Sequence, residues 1–444
     1  MPDGAATAHL FVPKLATTLG EGYRLDTFRR DAMAALTVAI VALPLSMAIA
    51  VAYGVAPGRG LYASIIGGFL VSALGGSRFQ IGGPAGAFIV LVAATVARFG
   101  VDGLLLTVTI SGVFLTLIGL FGLGRLIRYI PHAVTVGFTA GIAITIASSQ
   151  LKDLFGLALP HEPGPFLPKL AAIASALPTL SAPTLAVGLG TAAMIVAIRR
   201  WRPHWPSMLI AVVIASVLVT ALGLPAETIG GRFGQIPSSL PWPRLPSFSL
   251  AQIWAVLPAA LSFTLLGGVE SLLSAKVADG MTGRKHRSNM ELVAQGLANV
   301  ASALFGGLCV TGTIARTATN IRAGAKSPIA GIMHSVFLLL FMVAAAPLAS
   351  FAPLAALAGV LLVVCWNMAE KREFADLLRN WRSALVLLAT FGLTIAKDLT
   401  FGIVAGCVIA AGLALWRRIG SEGDADLYVD DNFNVSSRKP DASP

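Results

Sequence analysis

Long runs of Ala, Val, Leu, Ile and Phe alternate along the chain with short clusters of Arg, Lys, Gly and Pro. A straight helical crossing of a bilayer needs about 20 apolar residues, and a shorter run implies a broken or re-entrant helix. On that measure the pattern predicts fourteen helical segments. Those of the first half lie near residues 32–52, 60–75, 85–98, 103–122, 131–151, 183–198 and 207–224. Those of the second half lie near 252–274, 291–308, 313–323, 328–349, 352–368, 382–396 and 399–416. The connection 225–250, rich in Pro between Pro225 and Pro246, is the one long polar interruption. It separates an expected transmembrane repeat 31–224 from a second repeat 251–418, with seven segments in each. An odd number of crossings per half inserts the second half upside down, which is the inverted-repeat plan of secondary transporters. The fold class expected is therefore an all-α polytopic membrane protein.

The third segment of each half is short and opens at a cluster of helix breakers. One cluster is Gly82, Gly83 and Pro84; the other is Gly306, Gly307 and Gly312. A matched pair of interrupted segments points to the binding site of such a fold. Pro84 suits the first turn of a helix, and Thr311 and Thr313 can cap the other short helix. Two helix N-termini meeting near the midplane would turn free N–H groups toward one point and stabilise an anion there. Close helix packing is the competing role for such glycines and prolines.

Composition agrees with a lipid environment. Hydrophobic residues make up 56% of the 444 residues and charged residues 12%, with a mean hydropathy of +0.81. That leaves too little polar surface to cover a water-soluble globule of this size. The net charge of +11 is spread through short interhelical clusters, which suits anionic lipid rather than nucleic acid. With the N-terminus placed in the cytoplasm, the inside ends collect Arg29, Arg30, Arg125, Arg128, Arg199, Arg200, Arg417 and Arg418, among others. The outside ends carry only Arg59, Arg98, Lys152, Lys169, Arg232, Arg244 and Lys397. This bias predicts a multi-pass protein of the cell inner membrane with both termini cytoplasmic. Residues 1–30 show no signal-peptide pattern and read as a cytoplasmic N-terminal segment. Residues 419–444 are polar, then Ser/Pro-rich, and read as a disordered cytoplasmic tail.

Candidate chemistry is sparse. No Walker A motif, HExxH or GxSxG occurs, and Cys309, Cys365 and Cys407 form no CxxC pair. ATP-driven pumping, hydrolase chemistry and a structural zinc site have no visible support, so no enzyme activity, cofactor or metal is expected. Arg316 falls in the first turn of the second short helix. A charge that deep costs at least ~3 kcal/mol unless it is paired or lines a wet cavity, so it either meets a ligand or snorkels to the surface. Glu270 follows Gly267 and Gly268 in an otherwise uncharged run, and Ser274 lies one turn later on the same face. The two could hold Na⁺, Glu270 could be a protonated coupling group, or it could form a structural ion pair with Arg316. His334 stands alone in an apolar run and reads as hydrogen-bonded structure rather than as a ligand.

The run Arg29 to Tyr53, Pro57, Gly60 to Ser64 and Gly76 to Gly86 (GSRFQIGGPAG) resembles the sulfate permease (SulP) family, which includes animal anion exchangers and prestin. Val269 to Gly283 (VESLLSAKVADGMTG) and Thr311 to Ser327 (TGTIARTATNIRAGAKS) continue the likeness, which spans about residues 24–418. The resemblance implies seven plus seven inverted segments, with a core domain moving against a gate domain like an elevator. It also implies an anion held between broken third and tenth helices. By the same likeness Pro84, Ala85 and Gly86 open the third helix and Thr313, Ala315 and Arg316 the tenth, all as substrate contacts. Glu270 and Ser274 take the ion-coupling positions. Two departures stand out: Leu45 follows Pro44 where many relatives carry Gln, and the residues after Arg418 are too few for the cytoplasmic STAS domain that the family usually appends, as expected of a naturally short chain or of a truncated form.

The expected function is secondary active transport of a small inorganic or organic anion, namely sulfate, bicarbonate or a dicarboxylate, with H⁺ as the coupling ion. Na⁺ coupling, a nucleobase symporter of the same fold and a passive anion channel or motor protein are the alternatives. Membrane lipid is the expected surrounding, and a homodimer is one assembly open to the chain.

Overall fold

The computed structural model describes residues 11–124, 131–159, 163, 166–203, 205–245, 249–397 and 399–420. The tail beyond Gly420, and Arg125, Arg128, His161, His204 and Asp398, lie outside the described residues.

A helix occupies each of the predicted apolar segments. Among the described residues, seven helices are long and apolar enough to cross a membrane, and four shorter apolar helices accompany them. Their outward faces are apolar too. Ser207–Leu222 exposes Val213, Val217 and Leu222, and Ile329–Ala349 exposes Leu340, Val343 and Leu348. Faces of this kind suit hydrocarbon and not water. This is a multi-pass membrane protein.

Several local devices set the ends and bends of these helices. Leu250–Thr282 starts in a capping box, in which the Ser249 hydroxyl accepts from Gln252 N (3.2 Å) and Ser249 N donates to Gln252 Oε1 (2.8 Å). It closes on Gly283 in the left-handed region (φ 68°). The expected segments 85–98 and 103–122 run on as Gly86–Phe88, a 3₁₀ turn, and Ile89–Leu120, which kinks at Gly100 (φ 70°, ψ −173°). Only glycine adopts that backbone conformation readily. Between Pro57–Tyr62 and Gly68–Leu74 the chain widens into a π-helical turn, Ala63–Gly67. Such turns redirect the side chains that follow and often mark functional sites.

The chain resolves into two compact units. One comprises Met1–Arg128 and Ile146–Trp366, the other Tyr129–Thr145 and Asn367–Pro444. In the smaller unit Gly137, Gly141, Gly402 and Gly406 leave room for Thr390 and Thr394 to pack directly against backbone, and His132 Nε2 meets Glu373 Oε2 at 3.1 Å. In the larger unit Ser288–Leu304 packs on Ile89–Leu120 through Gly112, Gly119 and Gly296, which lets the backbones approach closely.

The feature that organises the larger unit is small. Gly82–Gly83 (β1) pairs antiparallel with Thr311–Gly312 (β2) in the register Gly82 to Gly312 and Gly83 to Thr311. The sequence marks both stretches only as helix breaks, whereas their backbones satisfy each other as a two-stranded ladder. Around them, Thr313 N donates to Ile81 O (3.1 Å), Ile81 N to Thr317 Oγ1 (3.2 Å) and Asn320 Nδ2 to Phe79 O (2.9 Å). Buried irregular backbone survives in such a place because each polar group finds a partner.

The N-terminal side carries a helix that the apolar pattern does not announce, Lys14–Gly20. It is tied down by Lys14 N donating to Gly75 O (2.9 Å), by an ion pair between Glu21 and Arg78, and by Arg287 Nη1 donating to Val12 O (2.6 Å) and Thr17 Oγ1 (2.9 Å). The buried Asp31 carboxylate next to it accepts from Lys326 N (2.6 Å), Ser327 N (3.2 Å), Ser327 Oγ (2.5 Å) and Tyr23 Oη (2.8 Å). Burial and this bond to Asp31 raise the Tyr23 phenol above its ordinary value, so it remains a donor.

Candidate functional site: two broken helices joined at their starts

Both short helices begin beside the β1–β2 pair. Ala85 caps the Gly86–Phe88 turn and Thr313 caps Ile314–Arg322, each in extended backbone. Neither start is closed by a side chain. The expected caps therefore do not form: the Thr313 hydroxyl turns to Ile81 O (3.5 Å), and Thr311 is used up as a strand residue. Pro84 lies one residue ahead of the cap rather than in the first turn, with its carbonyl available.

Arg316 sits in the first turn of Ile314–Arg322 and is 2% exposed. It does not snorkel. Its Nη1 donates to Ser64 Oγ (3.2 Å), and its Nη2 donates to Ser46 Oγ (3.1 Å) and Pro84 O (3.4 Å). Ser46 spends its own proton on Ala42 O (2.7 Å), so across the 2.8 Å contact between the hydroxyls Ser64 is the donor. Every acceptor on Arg316 is a neutral oxygen, and no carboxylate lies within ion-pairing distance of it among the described residues. Its Nε has no hydrogen-bond partner among the described residues. The guanidinium is thus held in place while its charge is left uncompensated, an arrangement that is costly unless an anion completes it.

Glu270 lies on Leu250–Thr282 without forming the ion pair with Arg316 that its sequence position allows. It faces the Thr311 hydroxyl, yet neither its Oε2 nor Thr311 Oγ1 completes a hydrogen bond. It also acts electrostatically on Tyr53 and Cys309. Ser274 does not serve the carboxylate: it is fully buried and donates to Thr317 Oγ1 (3.2 Å). The helix of Glu270 is stitched to both strands instead by its neighbour Ser271, whose hydroxyl accepts from Gly312 N (3.3 Å) and whose carbonyl accepts from Gln80 Nε2 (3.1 Å).

Sequence reasoning did not single out Ser46, Gln80, Ser271 or Thr317, nor assign Ser64 a role of its own. A spacing signal existed only for Ser271, next to Glu270. Tyr53 adds a buried hydroxyl that donates to Ala85 O (2.6 Å) at the cap of the first short helix. At the position after Pro44, Leu45 is buried and apolar, and the next residue, Ser46, supplies the polar contact from that helix. His334 departs from expectation: it is fully buried, and neither ring nitrogen has a hydrogen-bond partner among the described residues.

Two interrupted helices that start at a shared backbone ladder, with a buried cation and a half-buried acid on the helix stitched to that ladder, define a membrane transport protein of the broken-helix class. The comparisons with known proteins give the family. The model of the Sulfate permease family matches residues 28–390, and the chain belongs to that family, whose members are transporters and not enzymes. It is 42% identical over 393 residues, 88% of this chain and 74% of the relative, to the putative sulfate transporter YvdB of Bacillus subtilis (strain 168). It is 29% identical over 428 residues, 92% of this chain and 74% of the relative, to the bicarbonate transporter BicA of Picosynechococcus sp.. Among solved structures, the transmembrane domain of a cyanobacterium bicarbonate transporter BicA matches with a TM-score of 0.76 at 28% identity, over 88% of this chain and 99% of that one.

Proposed function

We propose that the chain is a secondary active carrier of a small anion, with sulfate, bicarbonate or a small dicarboxylate as the substrate class. The observation that carries this reading is the buried, uncompensated Arg316 at the uncapped start of one short helix, beside the start of the other. Pro84, Ala85, Gly86, Thr313, Ala315 and Arg316 form the anion site, with backbone N–H groups and the guanidinium as donors. Glu270 is the coupling residue. Being acidic and unpaired beside that site, it repels the anion when charged and admits it when protonated, which makes the coupling ion H⁺.

The topology we propose is fourteen crossings in two inverted halves, with a core moving against a gate and both termini in the cytoplasm of an inner membrane. Helices at all the predicted segments, the antiparallel β1–β2 pairing of corresponding breaks and the bias of basic residues support it.

The test is uptake of labelled sulfate into proteoliposomes, with unlabelled sulfate, bicarbonate and succinate as competitors and with pH and Na⁺ gradients imposed separately. Saturable uptake against a concentration gradient, driven by an inward H⁺ gradient, is expected. Accumulation driven by Na⁺ alone would replace the proton, and uptake that never exceeds equilibrium would make the protein a passive conductor.

A further inference from the structure

Asn299 lies on Ser288–Leu304 and is buried. Its Nδ2 donates to Val310 O (2.8 Å) and to Gln295 O (2.8 Å), and its Oδ1 accepts from Val310 N (2.9 Å). One side chain thus satisfies both backbone groups of Val310, as a neighbouring strand would. Val310 is the residue just before β2. An apolar side chain at position 299 would leave both of these groups unpaired in the interior, which costs free energy.

Two routes lead from Val310 to Arg316. Along the backbone, the next residue, Thr311, stands opposite Gly83 in the ladder, and Arg316 lies in the first turn of the helix that follows β2. Across the packing, the Val310 side chain fills the space over Gly67, where a Cβ would come within 2.3 Å of Val310 Cγ2. Gly67 ends the π-helical turn Ala63–Gly67, whose Ser64 receives Arg316 Nη1. Asn299 therefore fixes a residue from which both the guanidinium and one of its acceptors take their positions.

The two strands are not anchored alike. β1 is held by the helix of Arg316 itself, since Ile81 N donates to Thr317 Oγ1 and Asn320 Nδ2 donates to Phe79 O. Those bonds carry β1 along with the guanidinium. β2 takes its reference from outside that helix: from Asn299 at its entry and, at a longer distance, from Ser271, whose hydroxyl accepts from Gly312 N (3.3 Å).

We infer that Asn299 is a positioning residue of the anion site, one that holds β2 in place and with it Arg316. The inference rests on the anion-carrier reading. Asn299 acts on the anion only through Val310, by keeping the guanidinium and the two helix starts aimed at one point.

The experiment is isothermal titration of sulfate into the purified full chain at pH 6, with the thermal midpoint in detergent measured on the same samples. Asn299→Leu is close to isosteric, removes all three bonds and should weaken sulfate binding about tenfold. Asn299→Asp is the rescue. Burial and the facing carbonyl favour its protonated form, which accepts from Val310 N through the carboxyl C=O and donates to Val310 O through the O–H. Its affinity should return to within about threefold of wild type. Ser302→Ala is the control, because the Ser302 hydroxyl donates to Leu308 O (2.6 Å), two residues earlier in the same loop. It should lower the midpoint and leave affinity within about twofold, since Val310 keeps its own anchor. Asn299→Ala takes the place of Asn299→Leu should the latter not fold. Asn299→Leu within twofold of wild type, Asn299→Asp as weak as Asn299→Leu, or Ser302→Ala weakened as much as Asn299→Leu overturns the inference and leaves the carrier reading intact. Wild-type protein that binds no sulfate sinks both together.

Discussion

A Cβ placed on Gly83 would lie 1.9 Å from Arg316 Nη1 and 3.0 Å from its Cζ. The guanidinium passes over bare backbone, and the absence of a side chain at Gly83 lets it reach Ser46, Ser64 and Pro84 O. Glycine here serves close approach, since its backbone is not in a left-handed conformation.

Gly83→Ala should therefore behave as a lesion of Arg316. The tip of an arginine can move, but moving it here gives up all three of its contacts. Anion affinity is expected to fall at least tenfold while the protein still purifies as a folded species. Isothermal titration with sulfate checks this, and an affinity within twofold of wild type would mean that the pinned geometry is dispensable.

Arg316→Ala should also weaken anion binding at least tenfold, because charge-assisted contacts in a poorly hydrated site are worth ~1.5–3 kcal/mol. Its thermal midpoint in detergent should hold or rise, since the variant removes a buried charge that has only neutral partners. A large drop in midpoint with unchanged affinity would assign Arg316 to structure alone.

Glu270→Gln fixes the neutral form. The variant is expected to bind and exchange anion at a rate no longer dependent on pH, and to lose uphill accumulation. In the wild type the sign runs the other way: acidification fills the carboxylate with a proton, removes its repulsion and raises apparent affinity. Counterflow and gradient-driven uptake measured on the same vesicles separate exchange from accumulation. A Gln variant that still concentrates anion under a pH gradient would move the coupling elsewhere.

Asp31→Asn tests the fastening of the first helix. The carboxylate receives four donors from Tyr23, Lys326 and Ser327, and an amide would present a donor of its own to some of them. A loss of about 2–3 kcal/mol is expected, consistent with a buried charge-assisted network. A thermal midpoint equal to wild type would show that the loop holds without it.

The helices were legible because hydrocarbon imposes one demand, an unbroken apolar run, and that demand is written into local composition. The breaks at Gly82 and Gly312 were legible for the converse reason. Their pairing was not, since strands of two residues carry no alternation to read. Arg316 stood out by charge, but its partners did not: Ser46 and Ser64 look like small residues chosen for packing until a distant helix brings a guanidinium to them. Ser274 misled for a related reason, because one-turn spacing places it on the face of Glu270 without saying that Thr317 from another helix is nearer. The Lys14–Gly20 helix escaped an apolar criterion because hydrogen bonds and an ion pair hold it.

The β1–β2 ladder also bears on biosynthesis. A ribosome delivers Gly82 and Gly83 long before Thr311 and Gly312 exist, so the first break must enter the lipid phase with its backbone groups unanswered. Until the second break arrives it can be held only by water, by translocation machinery or by a provisional partner. The two breaks are thus unequal in time although paired in space: the earlier one waits in a costly state, and the later one relieves it on arrival. Chains interrupted between Pro225 and Pro246 should accordingly be found by quality control as an unfinished membrane segment, and supplying the missing half in the same membrane should rescue them.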